Sequence, residues 1–289
     1  MKQWQWLALA VLSPAAMAGN KVFKADLNNS VWEITQANPI QCTLDHNIPR
    51  FGHARFTVRA SKSVNLDFAL DARRDTPVTR SVTLRSVPPA WRPGVAAQDI
   101  TLAKFHEGFD GYINGQSAWA MLSELADGHF PTFVYRDWYN SDKVTQVALS
   151  SVNFRRQYND FEDCVSQLLP YSFEDISFSI LNYEKNGAKL TRRSKQRLKM
   201  IGEYIRHDEA VNVILVDGYS DSYGGRWHNQ ELSEKRANSV KTYLTELGIN
   251  DSKFKIEGYG EKRHIADNRM SLQRPKNRRV VISLGREEI

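Results

Sequence analysis

Two oppositely charged side chains flank the start of a predicted helix in the polar segment from 218 to 240. Asp221 precedes this helix, and Arg236 lies two turns beyond Asn229, so the fold can bring the two charges together. A carboxylate facing a guanidinium suits a ligand that carries both an ammonium and a carboxylate group. Free backbone N–H groups at the helix start would add donors for the anionic end. The pattern predicts a zwitterion-binding site, and the alternative is a structural pair in which Asp221 bonds Arg236 or caps the helix.

The elements that would position these charges alternate between strand and helix in the second half of the chain. Apolar and alternating runs predict strands at 175–183, 211–219, 253–260 and 278–285, and helical periodicity predicts helices at 191–207 and 229–248. Thr191 is the expected N-cap of the first helix, and Gly248 the expected stop of the second. The order β-α-β-α-β-β predicts a mixed sheet with helices on one face. Asp221 follows its second strand, where α/β folds gather ligand-binding loops.

The first half has a different period. Short runs that alternate apolar and polar residues predict strands at 53–61, 64–70, 81–87, 99–105, 132–138 and 145–152, and two helices are expected at 117–128 and 161–169. This half is predicted to be a β-rich sandwich or barrel-like domain. The change of period after Pro170 predicts a two-domain α+β protein, with domains at 19–170 and 171–289.

The first 18 residues combine a Lys at position 2, a short apolar run and Ala16-Met17-Ala18, which together predict a cleaved signal peptide and export to the periplasm. Cys42 and Cys164 are the two cysteines of the sequence, and in an exported chain we expect them to pair. The net charge of +6 suits an anionic partner such as the cell wall, or it serves only to keep the chain soluble. Export argues against nucleic acid as the partner.

Other chemistry competes for the same region. Four carboxylates in this region could supply the pair of acids that a glycoside hydrolase needs: Asp217, Asp221, Glu231 and Glu234. Glu231 and Glu234 lie on a helix face, where solvated side chains are the simpler interpretation. His228 and His264 fit no recognised metal-ligand spacing. We therefore expect a binding protein without catalytic residues, metal or cofactor.

The segment from Ser220 to Val240 resembles the signature of the OmpA-like peptidoglycan-binding domain family, T-D-x-x-G-x-x-x-x-N-x-x-L-S-x-x-R-A-x-x-V. A second block of the family is similar to Gly258–Glu261, Asn268 and Asn277–Val280. The resemblance implies that Asp221 and Arg236 hold the diaminopimelate side chain of the peptidoglycan stem peptide. The implied peptidoglycan-binding set is Asp221, Asn229, Leu232, Arg236 and Arg279.

Three positions depart from the OmpA-like pattern. Ser220 replaces a threonine, His264 replaces a proline and Pro275 replaces an alanine. The last two lie in the final connection of the domain. Replacing Asp221 or Arg236 by alanine is expected to weaken binding to peptidoglycan while the fold stays intact.

Four stretches resemble the MotY-type family of periplasmic proteins in the sodium-driven polar flagellar motor: 38–56, 88–94, 109–138 and 171–184. The resemblance implies a component of the basal-body T ring that assembles with MotX and helps to hold PomA/PomB stator units. The C-terminal domain would anchor on peptidoglycan, and the N-terminal domain would meet the ring partners. Two alternatives remain open: a general OmpA-like cell-wall tether for another envelope complex, and a wall hydrolase.

Overall fold

The computed structural model describes residues 20–109, 111–184 and 188–286, and the predicted signal peptide at 1–18 lies outside them. The chain divides into two compact units. The first contains residues up to Glu33, Asp45–Phe56 and Asp67–Arg156, and the second contains Ile34–Leu44, Thr57–Leu66 and the chain from Gln157 onward. The domain boundary near residue 170 stays a prediction.

Strands dominate the described chain before residue 170. The elements are β1 (Lys21–Phe23), β2 (Trp32–Asn38), β3 (Gln41–Ile48), β4 (Gly52–Arg59), β5 (Asp67–Ala72), β6 (Arg80–Val87), β7 (Gln98–Phe105), β8 (Gly111–Asn114), α1 (Gly115–Ala126), β9 (Phe130–Arg136), β10 (Val144–Ala148) and α2 (Phe154–Ser166). The strands form two five-stranded sheets, in the orders β1-β10-β9-β6-β7 and β2-β3-β4-β5-β8. Both orders are open.

Aromatic rings join the two sheets inside the first unit. Phe68 of β5 stacks on Phe133 of β9 with ring centroids 5.6 Å apart. Phe56 packs on Phe68, and Phe105 packs on Phe133, so that rings from both sheets share one core. The sandwich alternative of the predicted fold is confirmed.

The sequence patterns miss four of these strands, namely β1, β2, β3 and β8. In β3 the side chains from Cys42 to His46 are all buried, so the strand lacks the alternation that marks a half-buried strand. Helix α2 begins at Phe154, seven residues before the predicted start at 161. Asn153 precedes it with a left-handed φ of 61°, and Phe154 is buried in the first turn.

The second half contains α3 (Phe173–Ser177), β11 (Phe178–Asn182), α4 (Arg192–Ile205), β12 (Val211–Gly218), α5 (Arg226–Glu246), β13 (Phe254–Gly258), α6 (Arg274–Asn277) and β14 (Arg279–Arg286). Its sheet has the order β11-β14-β12-β13. β12 runs parallel to β13, whereas β14 is antiparallel to both of its neighbours. The predicted mixed sheet is confirmed.

Helices α4 and α5 bury their apolar sides against the same face of this sheet. The shared core includes Leu181, Leu198, Ile201, Ile214, Val216, Val240, Leu244 and Ile282. The side chains of Phe178, Ile180 and Leu215 project from the strands on the other face and are exposed. The predicted placement of the helices on one face is therefore confirmed. Within the described residues, no helix has both the length and the apolar composition needed to cross a bilayer.

Caps explain where several elements begin and end. The predicted strand at 175–183 is wrong at its start because Ser172 and Asp175 form a capping box that opens α3. Thr191 caps α4 as predicted, accepting a hydrogen bond from the Ser194 amide at 3.2 Å. Gly248 follows α5 with a φ of 91°, the left-handed conformation that ends many helices. Helix α5 begins at Arg226, three residues before the predicted start.

The predicted disulfide between Cys42 and Cys164 is present. It joins β3 to α2 within the second unit, with Cα atoms 6.1 Å apart and a sequence separation of 122. That separation closes a long loop in the unfolded chain, which is the case in which a crosslink restricts the unfolded state most.

Candidate functional site

Two glycines let α5 lie close to the sheet at the end that carries Asp221. A Cβ atom on Gly218 would come within 2.1 Å of the Ser233 carbonyl oxygen, and one on Gly258 within 2.4 Å of Glu234 Cγ. Ser233 uses the same close approach to accept a hydrogen bond from the Gly260 amide at 2.9 Å. The first turns of α5 are thereby fixed against the loops that follow β12 and β13.

Asp221 lies in the loop after β12 and is 9% exposed. One carboxylate oxygen accepts a hydrogen bond from Arg278 Nη1 at 2.8 Å, and the other accepts from the Tyr223 amide at 3.2 Å. Both members of the ion pair retain a little exposure, with 12% of each side chain accessible. The carboxylate is therefore held by a guanidinium from the strand β14 region and can still be reached from solvent.

Arg236 lies on α5 and is completely buried. Its Nη1 donates to the Tyr219 carbonyl oxygen at 3.3 Å, and its guanidinium lies 5.1 Å from the ring centroid of Tyr183. Burial lowers the pKa of Arg236, while the charges of Tyr183 and Asp221 oppose that shift. Direct contact with a ligand would require a rearrangement that exposes the guanidinium. The expectation that Arg236 can be replaced without harm to the fold is at odds with this burial.

Arg279, the other arginine of the predicted set, is 4% exposed. Its guanidinium lies 3.9 Å from the ring centroid of Tyr219, and Nη2 donates to the Arg263 carbonyl oxygen at 3.0 Å. Burial lowers its pKa, and Tyr219 opposes the shift. Arg279 thus packs on Tyr219 and on the backbone at Arg263, and no direct contact joins it to Asp221 among the described contacts.

Asparagines connect the loops around the site. Asn277 is fully buried, and its Oδ1 accepts from the Ile265 and Ala266 amides at 2.9 and 3.1 Å. Its Nδ2 donates to Asn268 Oδ1 at 2.8 Å, and that same oxygen accepts from the Ser222 amide at 3.3 Å. The loop after β12 is therefore tied to the loop that precedes α6.

Asn229 connects the start of α5 to the turn after β13. It is 1% exposed, and its Nδ2 donates to Glu261 Oε2 at 3.0 Å. Leu232, one turn further along, is partly buried on the same helix. Asn229 orients the elements beside Asp221, and Leu232 contributes packing.

Three buried polar atoms in the segments that contain Asp221 and its partner Arg278 have no hydrogen-bond partner within the described chain: Ser220 Oγ, Arg278 Nε and Arg279 Nη1. Ser220 precedes Asp221 in sequence, Arg278 bonds its carboxylate, and Arg279 follows Arg278. Buried polar groups are usually satisfied, so the unmet hydrogen bonding of Arg278, the partner of Asp221, supports a candidate ligand site there.

The residues considered for catalysis or metal binding do not form such a site. Glu231, Glu234, His228 and His264 are exposed, as the simpler interpretation of each predicts. Asp217 is half-buried; burial first, then Glu257, raises its pKa. Among the described residues, no group of three or more His, Cys, Asp or Glu side chains is arranged to hold a metal ion.

The departures in the last connection are accommodated. Pro275 lies in the first turn of α6, where a helix does not use the missing N–H. His264 is exposed.

Sequence reasoning missed Arg278, the observed partner of Asp221. Two features together would have identified it: its position in the Asn277–Val280 block and the register of β14 against β12. Val280 pairs with Gly218, so Arg278 and Asp221 both extend past the same end of the sheet. Without the register of β14 against β12, either arginine of the block could face the carboxylate.

The comparisons with known proteins cover both halves. The MotY N-terminal domain family matches residues 23–170, and the OmpA family matches residues 182–278. The sodium-type flagellar protein MotY of Vibrio parahaemolyticus is 48% identical over 283 residues, which is 98% of this chain and 96% of that protein. This chain belongs to the MotY family.

Two further relatives match shorter stretches of this MotY family member. The outer-membrane lipoprotein YfiB of Pseudomonas aeruginosa is 35% identical over 77 residues, covering 27% of this chain and 46% of that protein. The probable lipoprotein YiaD of Escherichia coli is 43% identical over 76 residues, covering 26% of this chain and 33% of that protein. Unlike these two, the Vibrio protein is similar along nearly the whole chain.

Proposed function

We propose that this chain is a non-enzymatic, periplasmic component of the sodium-driven flagellar motor that binds peptidoglycan through its C-terminal domain. Its near full-length similarity to a sodium-type flagellar protein supports the motor assignment. The OmpA family match and the buried, partly accessible Asp221 support the wall-binding assignment. In this proposal residues 1–18 direct export, 19–170 form the partner-binding domain and 171–289 form the wall-binding domain.

The observation that carries the wall-binding proposal is the Asp221–Arg278 pair with its unsatisfied neighbours. A diaminopimelate side chain ends in an ammonium and a carboxylate. Asp221 would accept from the ammonium, and a guanidinium would fork onto the carboxylate. Arg278 reaches solvent in the present arrangement, and Arg236 places a second positive charge behind it. Asn229, Leu232 and Arg279 hold the surrounding loops.

Binding to purified peptidoglycan sacculi tests this site. Asp221→Asn should reduce the protein that sediments with sacculi at least about tenfold, because a charge-assisted hydrogen bond is lost from a desolvated site. Asp251→Asn is the matched control, since Asp251 is an exposed carboxylate of the same domain paired with Lys241. Equal sedimentation of both variants would contradict the proposed site. Release of soluble fragments from the sacculi would instead indicate a wall hydrolase.

The ring role is tested in cells. In this proposal the N-terminal domain meets MotX and the basal body within the T ring, and the assembled ring holds PomA/PomB stator units. Cells that lack the protein should lose swimming, and their isolated basal bodies should lose the ring. Normal swimming with intact rings would leave a general cell-wall tether as the better interpretation.

A further inference from the structure

A second candidate site lies in the first compact unit and uses none of the residues around Asp221. A cavity of about 410 Å³ opens beside the turn between β3 and β4, within the size range of small-ligand pockets. Four cationic side chains and two carboxylates line it. Phe51, Tyr135, Trp138 and Tyr139 contribute aromatic surface. The cavity therefore combines positive charge with flat apolar walls.

The cationic side chains of this cavity outnumber its carboxylates by four to two. Arg50, Arg73 and Arg74 are exposed, and within the described residues none of the three has a carboxylate partner. Asp137 is already occupied: it accepts from the Tyr139 and Asn140 amides at 3.0 and 3.1 Å and from Thr145 Oγ1 at 2.9 Å. The three guanidinium groups are consequently free to bind an anion, and their planar forks match carboxylates.

Arg50 occupies its place at a conformational cost. The Phe51 amide donates to the Ile48 carbonyl oxygen at 3.0 Å, closing a turn with Pro49 in its second position. Arg50 takes the third position with a φ of 67°. Glycine or asparagine is the usual residue where such a turn needs a positive φ. An arginine at this position adopts the positive φ less readily than glycine or asparagine does. Its side chain lines the cavity.

A buried donor in the cavity wall is also unsatisfied. Trp138 Nε1 has no hydrogen-bond partner within the described chain, although its ring packs 4.1 Å from that of Tyr135. Buried indole N–H groups normally find a partner. The unsatisfied indole therefore belongs to the same lining as the three free guanidinium groups.

We infer that this cavity binds an acidic peptide segment of a partner protein that presents an aromatic side chain next to carboxylates. The guanidinium groups would take the carboxylates, and the aromatic walls would cover the ring. A plain polyanion offers no apolar group to bury in such a cavity. An aromatic residue flanked by Asp or Glu uses both features.

Peptide titration followed by NMR tests this inference. The probe is acetyl-Asp-Glu-Trp-Glu-Asp-amide, added to the purified protein carrying 15N-labelled indole groups, with Trp138→Phe used to assign the Trp138 signal. We expect saturable shifts of that signal. A peptide with Asn and Gln in place of the acids, and one with Ala in place of Trp, should each bind at least about tenfold more weakly.

Matched arginine variants complete the experiment. Arg73→Gln/Arg74→Gln should weaken the acidic peptide at least about tenfold, whereas Arg155→Gln/Arg156→Gln, the same charge change on α2, should not. Equal effects of the two pairs, or no shift with the wild type, would overturn the inference. Tighter binding of the protein to phosphatidylglycerol vesicles than to the peptide would also overturn the inference. It would indicate that the cavity binds a lipid headgroup. Sacculus binding of the Arg73/Arg74 variant should be unchanged, which separates this test from that of Asp221.

Discussion

Two buried aspartates, one in each compact unit, are satisfied in different ways. Asp137 is 7% exposed and Asp221 is 9% exposed, and both follow a strand. Asp137 accepts three hydrogen bonds from its own loop and from Thr145, with Lys21 Nζ 3.6 Å away. Asp221 has Arg278 and one backbone amide, and Nε of that arginine has no partner within the described chain.

The hydrogen bonds of Asp137 also determine its pKa. Burial raises its pKa, but hydrogen bonds from Tyr139, Thr145 and Asn140 and the charge of Lys21 hold it below the ordinary value. A carboxylate satisfied by its own loop contributes to folding. A carboxylate that depends on one partly accessible arginine can exchange that partner for a ligand. The comparison thus separates a structural aspartate from a candidate binding residue.

Removing the disulfide has the largest expected effect on the free energy of unfolding. It also tests whether the folded protein keeps the Asp221 site when its stability is reduced. Cys42→Ser/Cys164→Ser should lower the free energy of unfolding by about 2–5 kcal/mol, because the unfolded chain gains freedom. Thermal unfolding with and without reductant measures this. The folded variant should still bind sacculi. Equal melting temperatures in both conditions would show that the bond adds no stability.

Truncating Arg236 comes next. Arg236→Met should cost about 3 kcal/mol, since it leaves the Tyr219 carbonyl oxygen and the charge of Asp221 without that guanidinium and removes its contact with the Tyr183 ring. Lys235→Met on the exposed side of the same helix is the control, expected within about 0.5 kcal/mol of the wild type. Urea unfolding distinguishes them. An unchanged midpoint for Arg236→Met would mean that the guanidinium is not a structural group.

Substituting the two aspartates directly tests the comparison. Asp137→Asn should destabilise the protein by about 2 kcal/mol and leave sacculus binding intact, because its hydrogen bonds serve the fold. Asp221→Asn should cost about 1 kcal/mol and abolish most binding. Paired urea unfolding and sedimentation assays measure both effects. If Asp221→Asn proved the more destabilising change and bound normally, the assignment of the two roles would be reversed.

The smallest effect concerns His46, another internally satisfied group of the first unit. His46 Nδ1 donates to the Val31 carbonyl oxygen at 2.7 Å, and Nε2 accepts from the Ser150 amide at 3.3 Å. Burial lowers the pKa of His46, although Val31 and Asp45 oppose the shift. The neutral ring is therefore the folded form.

This burial predicts a loss of stability in mild acid. Below about pH 6.5 the unfolded chain takes up a proton at His46 while the folded protein does not, so stability falls by at most about 1.4 kcal/mol per pH unit. His46→Gln should flatten that dependence below about pH 6.5. Urea unfolding at several pH values measures it, and parallel pH profiles for the two proteins would contradict the prediction.

Local patterns were sufficient to predict much of the fold. Alternation identified strands such as β6 and β7, and Thr191 and Gly248 marked helix ends correctly, because these signals depend on neighbouring residues alone. The strand β3 was missed since its buried side chains extend to both faces. The first turn of α3 was missed because the capping box of Ser172 and Asp175 outweighed the strand pattern.

The sequence predicted the loop that carries the site but not the ion pair between Asp221 and Arg278. Asp221 was singled out from its place after a strand and from a family pattern. Its contact with Arg278 depends on the register of β14 against β12, which is a long-range property. The burial of Arg236 was also hidden, because a charged residue on a polar helix reads as solvated until the close approach at Gly218 is known.

Recognition of a side chain with both an ammonium and a carboxylate is the central claim. Isothermal titration calorimetry with two stem peptides tests it most directly, one containing diaminopimelate and one containing lysine in its place, which lacks the second carboxylate. We predict binding of the diaminopimelate peptide and at least about tenfold weaker binding of the lysine peptide, and we expect Asp221→Asn to weaken the binding of both, because both carry the ammonium group that Asp221 would accept from. Equal affinity of the wild-type protein for the two peptides would contradict it.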